Sequence, residues 1–258
     1  MKYLIKTNDY ASLDEVDYGR VVYDTTNDKV FLQNIGGGVT YEYVDLGLPH
    51  HLKWAKCNIG ANSEEEYGLY FQWGDTKGYT DKQVGDGEGL KAFSCADYNF
   101  SKYNASDSKT VLDPEDDAAH VIMGGNWRMP TFEEYKELCK NTDIFLVTTE
   151  GEEIQGNAQE NSSGGVMINW KAQAEGTLKG VKFYKSGGSK QTYMFVPAAG
   201  DALEGSMQFV GQYGFLWSSS LYSSDDQNAW YFSFGANVGL VGNDIRCSGL
   251  PVRGVLPQ

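Results

Sequence analysis

The sequence predicts an α+β fold, mainly antiparallel, and three observations lead there. Strand-like runs come first, helix-like stretches follow, and many short strand-like runs close the chain, without the strand–helix alternation that builds parallel sheets. Glycine is abundant, 31 of 258 residues or about 12%, against a usual level of roughly 7%. Aromatic residues reach 14% while prolines number only 6, a balance that suits short strands, tight turns and structured loops. Hydrophobic residues at 41% suffice for a core, and the length fits one large domain with a small appendage.

The first element is a hairpin over residues 19–34. Val21, Val22 and Tyr23 face Val30, Phe31 and Leu32 across a turn rich in Asp, Asn and Thr. Gly36-Gly37-Gly38 then reads as a flexible joint, so residues 1–38 are expected as a small N-terminal β-hairpin module and 39–258 as the main domain. Tyr43, Val44 and Leu46 suit a strand, as do Leu52, Trp54 and Ala55. Ser63 followed by Glu64, Glu65 and Glu66 predicts a short helix running to Phe71. Residues 74–111 are polar and irregular, and GDGEG at 85–89 reads as a loop because its spacing fits no dinucleotide fingerprint. Asp113 with Pro114 predicts a second helix over 113–125. Thr131 with Glu134 predicts a capping box starting a third, whose Phe132, Tyr135, Leu138 and Cys139 share one face.

From residue 143 the pattern is β: IFLVTT, VMINW, a hairpin of Val181–Tyr184 with Thr192–Val196, and Asn228–Phe234. In the last of these Trp230, Phe232 and Phe234 share one face and Tyr231 and Ser233 the other. Pro251–Val255 reads as a final strand. Between these two lies LVGNDIRCSGLP, residues 240–251, with neither a period of two nor one of 3.6.

A net charge of −14 opposes binding to phosphate backbones and anionic membranes, so no nucleic-acid partner is expected. No window approaches the ~20 apolar residues of a membrane span, and Tyr3-Leu4-Ile5 is too short for a signal-peptide core. Cys57, Cys95, Cys139 and Cys247 form no C-x-x-C pair, and at least three of them are expected as free thiols. His50 and His51 diverge after Pro49, which argues against a joint metal site, and His120 reads as a packing residue on its helix. Two acidic clusters, 64–66 and 113–117, are accounted for as helix starts. Asp225 and Asp226 with Asn228, Asn243 or Asp244 offer oxygens for calcium, weighed below a plain polar loop. No nucleophile–base set or phosphate loop stands out, so no enzyme is expected and no cofactor beyond that calcium alternative.

The stretches YVDLGLPHHLKWAKCNIGA (43–61), YGLYFQWGD (67–75), DAAHVIMGGNWRMPTFEEYKEL (117–138), FVPAAG (195–200), WSSSLY (217–222) and PVRGV (251–255) together resemble the bacterial "major paralogous domain" family, abundant in gut bacteria. HHLKW and VRGV depart from the S-G-L-K-W and V-R-P-V of that family. The resemblance spans roughly residues 41–258 and implies a C-type-lectin-like fold with two helices, small antiparallel sheets, long loops and paired chain ends. Variable proteins of diversity-generating retroelements share that fold and carry a C-terminal stretch of scattered, freely changing positions, which residues 240–250 resemble. An irregular loop of an ordinary family member is an equal alternative there. The implied function is receptor binding on a virion, as in a phage tail fibre, or on a cell surface, toward a protein or glycan on a target cell. The displayed residues would be Tyr222, Ser223, Asp225, Asp226, Tyr231, Ser233, Asn237, Leu240, Asn243, Asp244, Arg246, Cys247 and Leu250, with Trp230, Phe232 and Phe234 facing the core. Two alternatives stand beside it: a formylglycine-generating type of enzyme of the same fold, which Ile245-Arg246-Cys247 faintly resembles without the second cysteine, and, as a structural reading, a fimbrial or surface adhesin tip.

Overall fold

The structure, a computed structural model, describes residues 4–7, 20–24, 29–33, 41–85, 93–96, 98–162, 164–188 and 190–258. The chain divides into two compact units, Met1–Tyr41 and Glu42–Gln258. In the first, β1 (Leu4–Thr7) pairs parallel with β2 (Arg20–Asp24), and β2 pairs antiparallel with β3 (Lys29–Gln33). Val21 stands opposite Leu32, Val22 opposite Phe31 and Tyr23 opposite Val30, as the hairpin pattern requires. Residues 36–38 and the loop 86–89 lie outside the described residues.

The second unit begins with β4 (Tyr43–Asp45), β5 (Lys53–Ala55) and β6 (Tyr70–Phe71). Three short helices follow: α1 (Asp81–Gly85), α2 (Ala118–Met123) and α3 (Phe132–Asn141). The remainder is β7 (Thr142–Thr148), β8 (Glu153–Glu160), β9 (Val166–Trp170), β10 (Leu178–Lys185), β11 (Tyr193–Pro197), β12 (Asp201–Leu203), β13 (Ser206–Gln208), β14 (Tyr213–Leu221), β15 (Asn228–Gly235), β16 (Val238–Ile245), β17 (Leu250–Pro251) and β18 (Val255–Leu256). Eight of these strands form one sheet in the order β11-β10-β7-β8-β9-β16-β15-β14, antiparallel at every step. Its two edges nearly meet: Gly200, just past β11, bridges Gly214 on β14, and the Gly200 N–H donates to Tyr213 O at 2.8 Å.

This architecture corrects the α+β, C-type-lectin-like expectation. The described chain is mostly β, 39% strand against 11% helix, and is organised by one barrel-like sheet rather than by two helices on small sheets. Two strands account for the difference. β8 (EIQGNAQE) is too polar to stand out, and β16 (VGLVGNDI) is masked by glycines. β8 joins β7 to β9, β16 joins β9 to β15, and separate sheets become one.

The core lies on the face of the sheet against which α3 packs. Tyr135, Leu138 and Cys139 of α3 are buried with Leu146, Ile168, Val181, Phe183, Leu216, Phe232 and Phe234 from the sheet. Each such aliphatic or aromatic side chain contributes about 1.5–3 kcal/mol on leaving water. Tyr135 stacks on Phe232 at 5.8 Å and meets Trp54 at 5.3 Å. The start of α3 is fixed by the expected capping box, in which Thr131 Oγ1 accepts from Glu134 N and Glu134 Oε2 from Thr131 N. Arg128 donates with both terminal nitrogens to the Glu134 carboxylate, which holds that acid below the usual carboxylate range despite burial.

Two other helix expectations are revised. Residues 63–71 form a turn and then β6, because Gly68 takes φ +82, which ends helical geometry. The helix expected from Asp113 splits into a 3-10 turn, Pro114–Asp116, and α2, whose cap is Asp117: its carboxylate accepts from His120 N and, across to the next loop, from Met129 N. The expected last strand is also broken. β17 pairs with β6, β18 pairs with β5 beside β4, and Arg253 lies between them. Its buried guanidinium donates to Ala55 O, Lys56 O, Phe195 O and Asn58 Oδ1, and burial pushes its pKa down to about 10. Arg253 thus ties both ends of this unit to β11.

Candidate binding face on β14, β15 and β16

Register decides which side chains of the last three long strands point away from the core. Phe232 stands between Leu216 and Val241, all three buried. The neighbouring row, Trp217, Tyr231 and Gly242, therefore points outward, as does the row of Phe215, Ser233 and Leu240. Leu240 in turn pairs with Met167 of β9, which is 41% exposed.

Aromatic rings follow one another across this face. Phe209 meets Tyr213 at 5.5 Å, Tyr213 meets Phe215 at 6.0 Å, Phe215 meets Tyr231 at 5.8 Å and Tyr231 meets Trp217 at 6.4 Å. The run is graded in exposure. Phe209 (48%) and Tyr213 (38%) are open, Phe215 and Tyr231 are half-buried, and Trp217 is fully covered, its indole N–H donating to Phe71 O. Tyr213 projects over Gly235, where a Cβ would come within 2.4 Å of its ring.

Two carboxylates are felt by the Tyr231 phenol. Asp244 lies on the Tyr231 side of β16, two residues beyond Gly242. Asp201, at the start of the β12–β13 hairpin, is only 7% exposed, and its Oδ1 has no hydrogen-bond partner. Burial, with the Asp244 charge adding to it, pushes the Asp201 carboxyl up to about 6. Burial also raises Asp244, whose Oδ1 accepts from Ile245 N at 2.7 Å, and raises the Tyr231 phenol, which feels both carboxylates.

The residues expected on display divide sharply. Tyr231, Leu240 and Asp244 belong to this face, and Ser233 lies on it but is only 5% exposed, covered between Phe215 and Leu240. Tyr222, Ser223, Asp225 and Asp226 form the β14–β15 turn, and Asn237 the exposed β15–β16 turn. Asn243 is opposite Trp230, on the other side of the sheet. Four expectations are overturned: Ser233 is 5% exposed, Arg246 and Cys247 are 1% exposed and Leu250 is 0% exposed. Arg246 is enclosed by Trp73, Tyr98, Phe100 and Tyr103 and donates to Tyr98 Oη and to the carbonyls of Lys102, Tyr103 and Asp226. Cys247 is bonded to Cys95, so two of the four cysteines are not free thiols, while Cys57 and Cys139 are. Leu250 pairs with Phe71 beneath the same cluster. Of the residues expected to face the core, Phe232 and Phe234 do, and Trp230 is half-buried, stacked on Phe132 at 3.9 Å.

The remaining chemical candidates are engaged locally. Asp225 accepts from Gln227 N and Asn228 Nδ2, closing its own turn. His50 pairs with Glu137, and the His120 ring contacts Trp127 O. Sequence inspection missed Asp201, Tyr213 and Phe215. Tyr213-x-Phe215-x-Trp217 alternates with a period of two and carried a usable signal, whereas nothing local marks Asp201. Comparison with protein-family models, with curated proteins and with solved structures finds no match to this chain.

Proposed function

We propose that this is a receptor-binding protein, with no catalytic role, that uses the outer face of β14–β16 to hold a protein on a target cell surface. The observation that carries this is the aromatic strip from Phe209 to Tyr231, solvent-facing at one end and backed by a continuous sheet. Tyrosines on a rigid support supply contact area at little entropic cost, and such residues dominate binding hot spots. The Cys95–Cys247 bridge favours an oxidising location, which suits a virion or a cell surface. Diversification of the C-terminal stretch remains part of the proposal in a narrower form: Leu240 and Asp244, half-buried on this face, can vary, whereas Arg246, Cys247 and Leu250 hold the scaffold.

The test is attachment of fluorescently labelled protein to a panel of whole bacterial cells, with Phe209→Ser/Tyr213→Ser as the comparison. Attachment should fall at least tenfold with an unchanged melting temperature, the loss expected from a hot-spot residue worth more than about 1.4 kcal/mol. Equal attachment by both proteins would refute the assignment of the face. Competition by free sugars rather than by proteolysis of the cells would replace the protein partner with a glycan.

A further inference from the structure

We propose that Phe209, with Val210 beside it, is an anchor that enters an apolar recess on the partner protein, held ready for insertion by the fold. This anchor rests on the face proposed above and specifies what the outer end of that face requires of the partner. Two separate observations meet at Phe209. Its φ is +56, and 48% of its surface is open. Among the described residues it alone is both a large exposed hydrophobic side chain and a non-glycine residue at positive φ.

A bulky side chain at positive φ strains the backbone, and such strain persists only where the surrounding structure imposes it. Here the surroundings do so. Gly200 leaves room for the turn, since a Cβ there would lie 2.0 Å from Gln208 O and 2.7 Å from Val210 N. Gly211 N donates to Ala198 O at 2.8 Å, and Leu178 N donates to Gly211 O at 2.7 Å. Gln212 N and Tyr213 N both donate to Phe209 O, at 2.9 and 3.0 Å. The turn from β13 to β14 is therefore fastened to β10 and to the segment after β11. The ring it carries meets Tyr213 edge-on at 5.5 Å and is half open to solvent. Strain pinned in this way gathers where ligands are gripped. A ring fixed before binding loses little freedom on insertion, which makes it a strong anchor.

The sequence around the turn gives the chemistry of the recess. Residues 205–224 contain no Asp, Glu, Lys or Arg, although 22% of the chain is charged and its net charge is −14. Val210, 39% exposed, extends the apolar surface of the tip. The complement of an uncharged apolar projection is an uncharged apolar hollow, the setting in which hot-spot residues act.

The experiment varies the shape of position 209 and measures attachment of the labelled whole chain to the bacterial cells that bind it. A recess fitted to a benzyl group cannot take the larger indole without strain, whereas a flat contact accepts it. Phe209→Trp should therefore lose attachment at least tenfold, as should Phe209→Gly, which removes the ring and relieves the backbone. Phe209→Gly should melt no lower than the parent. Attachment by Phe209→Trp equal to the parent's overturns the recess. A melting temperature for Phe209→Gly lower by more than about 6 °C, the result for a packed ring, overturns the anchor. The two proposals fail separately. Loss of attachment in Phe209→Ser/Tyr213→Ser with full attachment by Phe209→Trp keeps the face and removes the recess. Loss in Phe209→Trp and Phe209→Gly with full attachment by Tyr213→Ser keeps the anchor and removes the strip as the binding surface.

Discussion

Replacing Arg246 by alanine distinguishes a displayed side chain from a structural one. Its guanidinium donates to Tyr103 O at 3.2 Å, Asp226 O at 2.9 Å and Lys102 O at 3.1 Å, with ring centroids of Trp73 and Tyr98 at 4.7 and 5.2 Å. Truncation leaves three carbonyls without their charged donor, at about 1 kcal/mol each where water partly replaces it. Loss of the cation–π contacts adds about 1 kcal/mol. The sum is about 4 kcal/mol, or a drop of about 8–16 °C in Tm for a unit of this size. Urea titration followed by tryptophan fluorescence reads the change directly, because Trp73 forms one wall of the enclosure. Arg246→Lys should recover only part of the loss, since a single ammonium cannot reach three divergent carbonyls. A change within about 0.5 kcal/mol for Arg246→Ala, the usual result at an exposed position, would refute the structural role.

Three more outcomes are expected. Reducing the Cys95–Cys247 bond, or substituting both cysteines with serine, should destabilise the chain by up to about 5 kcal/mol, the loop-entropy value for a separation of 152 residues; an unchanged melting temperature on reduction would count against it. Gly200→Ala should cost at least about 2 kcal/mol, since Gly200 sits at φ +64 and a Cβ there would come 2.0 Å from Gln208 O; unaltered amide-exchange protection at Tyr213 and Gly214 would contradict its place at the sheet closure. Asp201 makes stability fall with rising pH. Its folded pKa of about 6 lies above the ordinary 3.8, so between these values the folded chain keeps a proton that the unfolded chain has released. The loss is complete above about pH 6 and amounts to about 3 kcal/mol. Asp201→Asn should therefore be more stable than the parent at pH 7.5, with the gain disappearing toward pH 4, and denaturant titrations at the two pH values decide the matter.

What the sequence revealed and what it concealed follow from how local each signal is. The capping box at Thr131–Glu134, the Val181–Val196 hairpin and the Phe232/Phe234 alternation are written in neighbouring residues, and each stands in the structure. β16 does alternate, with Val241 inward and Leu240 outward, but Gly239 and Gly242 erase the contrast on which a period-two search depends. β8 fails for another reason: a strand whose neighbours supply the apolar contact need not be apolar itself, and only Ile154 of EIQGNAQE is buried. Arg246 and Cys247 were legible only as polar residues in an irregular stretch. Their burial depends on partners some 140 to 150 positions earlier, Lys102, Tyr103 and Cys95. Asp201 is the extreme case, because no neighbouring residue in the sequence marks its burial.

That burial also sets how the stability of the chain depends on pH. A buried carboxylate normally compensates for lost hydration inside its own fold, as Glu134 does with Arg128, the Thr131 N–H and the helix start. Asp117, also buried, accepts from the His120 and Met129 N–H groups, yet burial still pushes its carboxyl up. Asp201 recovers far less: at neutral pH its charge weakens the chain, and Oδ1 contacts no donor. Asparagine is nearly the same size, would lift the charge penalty and would leave the packing unchanged. A position where the simplest substitution is expected to improve the free protein is ordinary in natural chains, which seldom sit at their stability optimum. Asp201→Asn should therefore be more stable than the parent at pH 7.5 and lose that gain toward pH 4. A variant no more stable than the parent at pH 7.5 would refute the uncompensated buried charge.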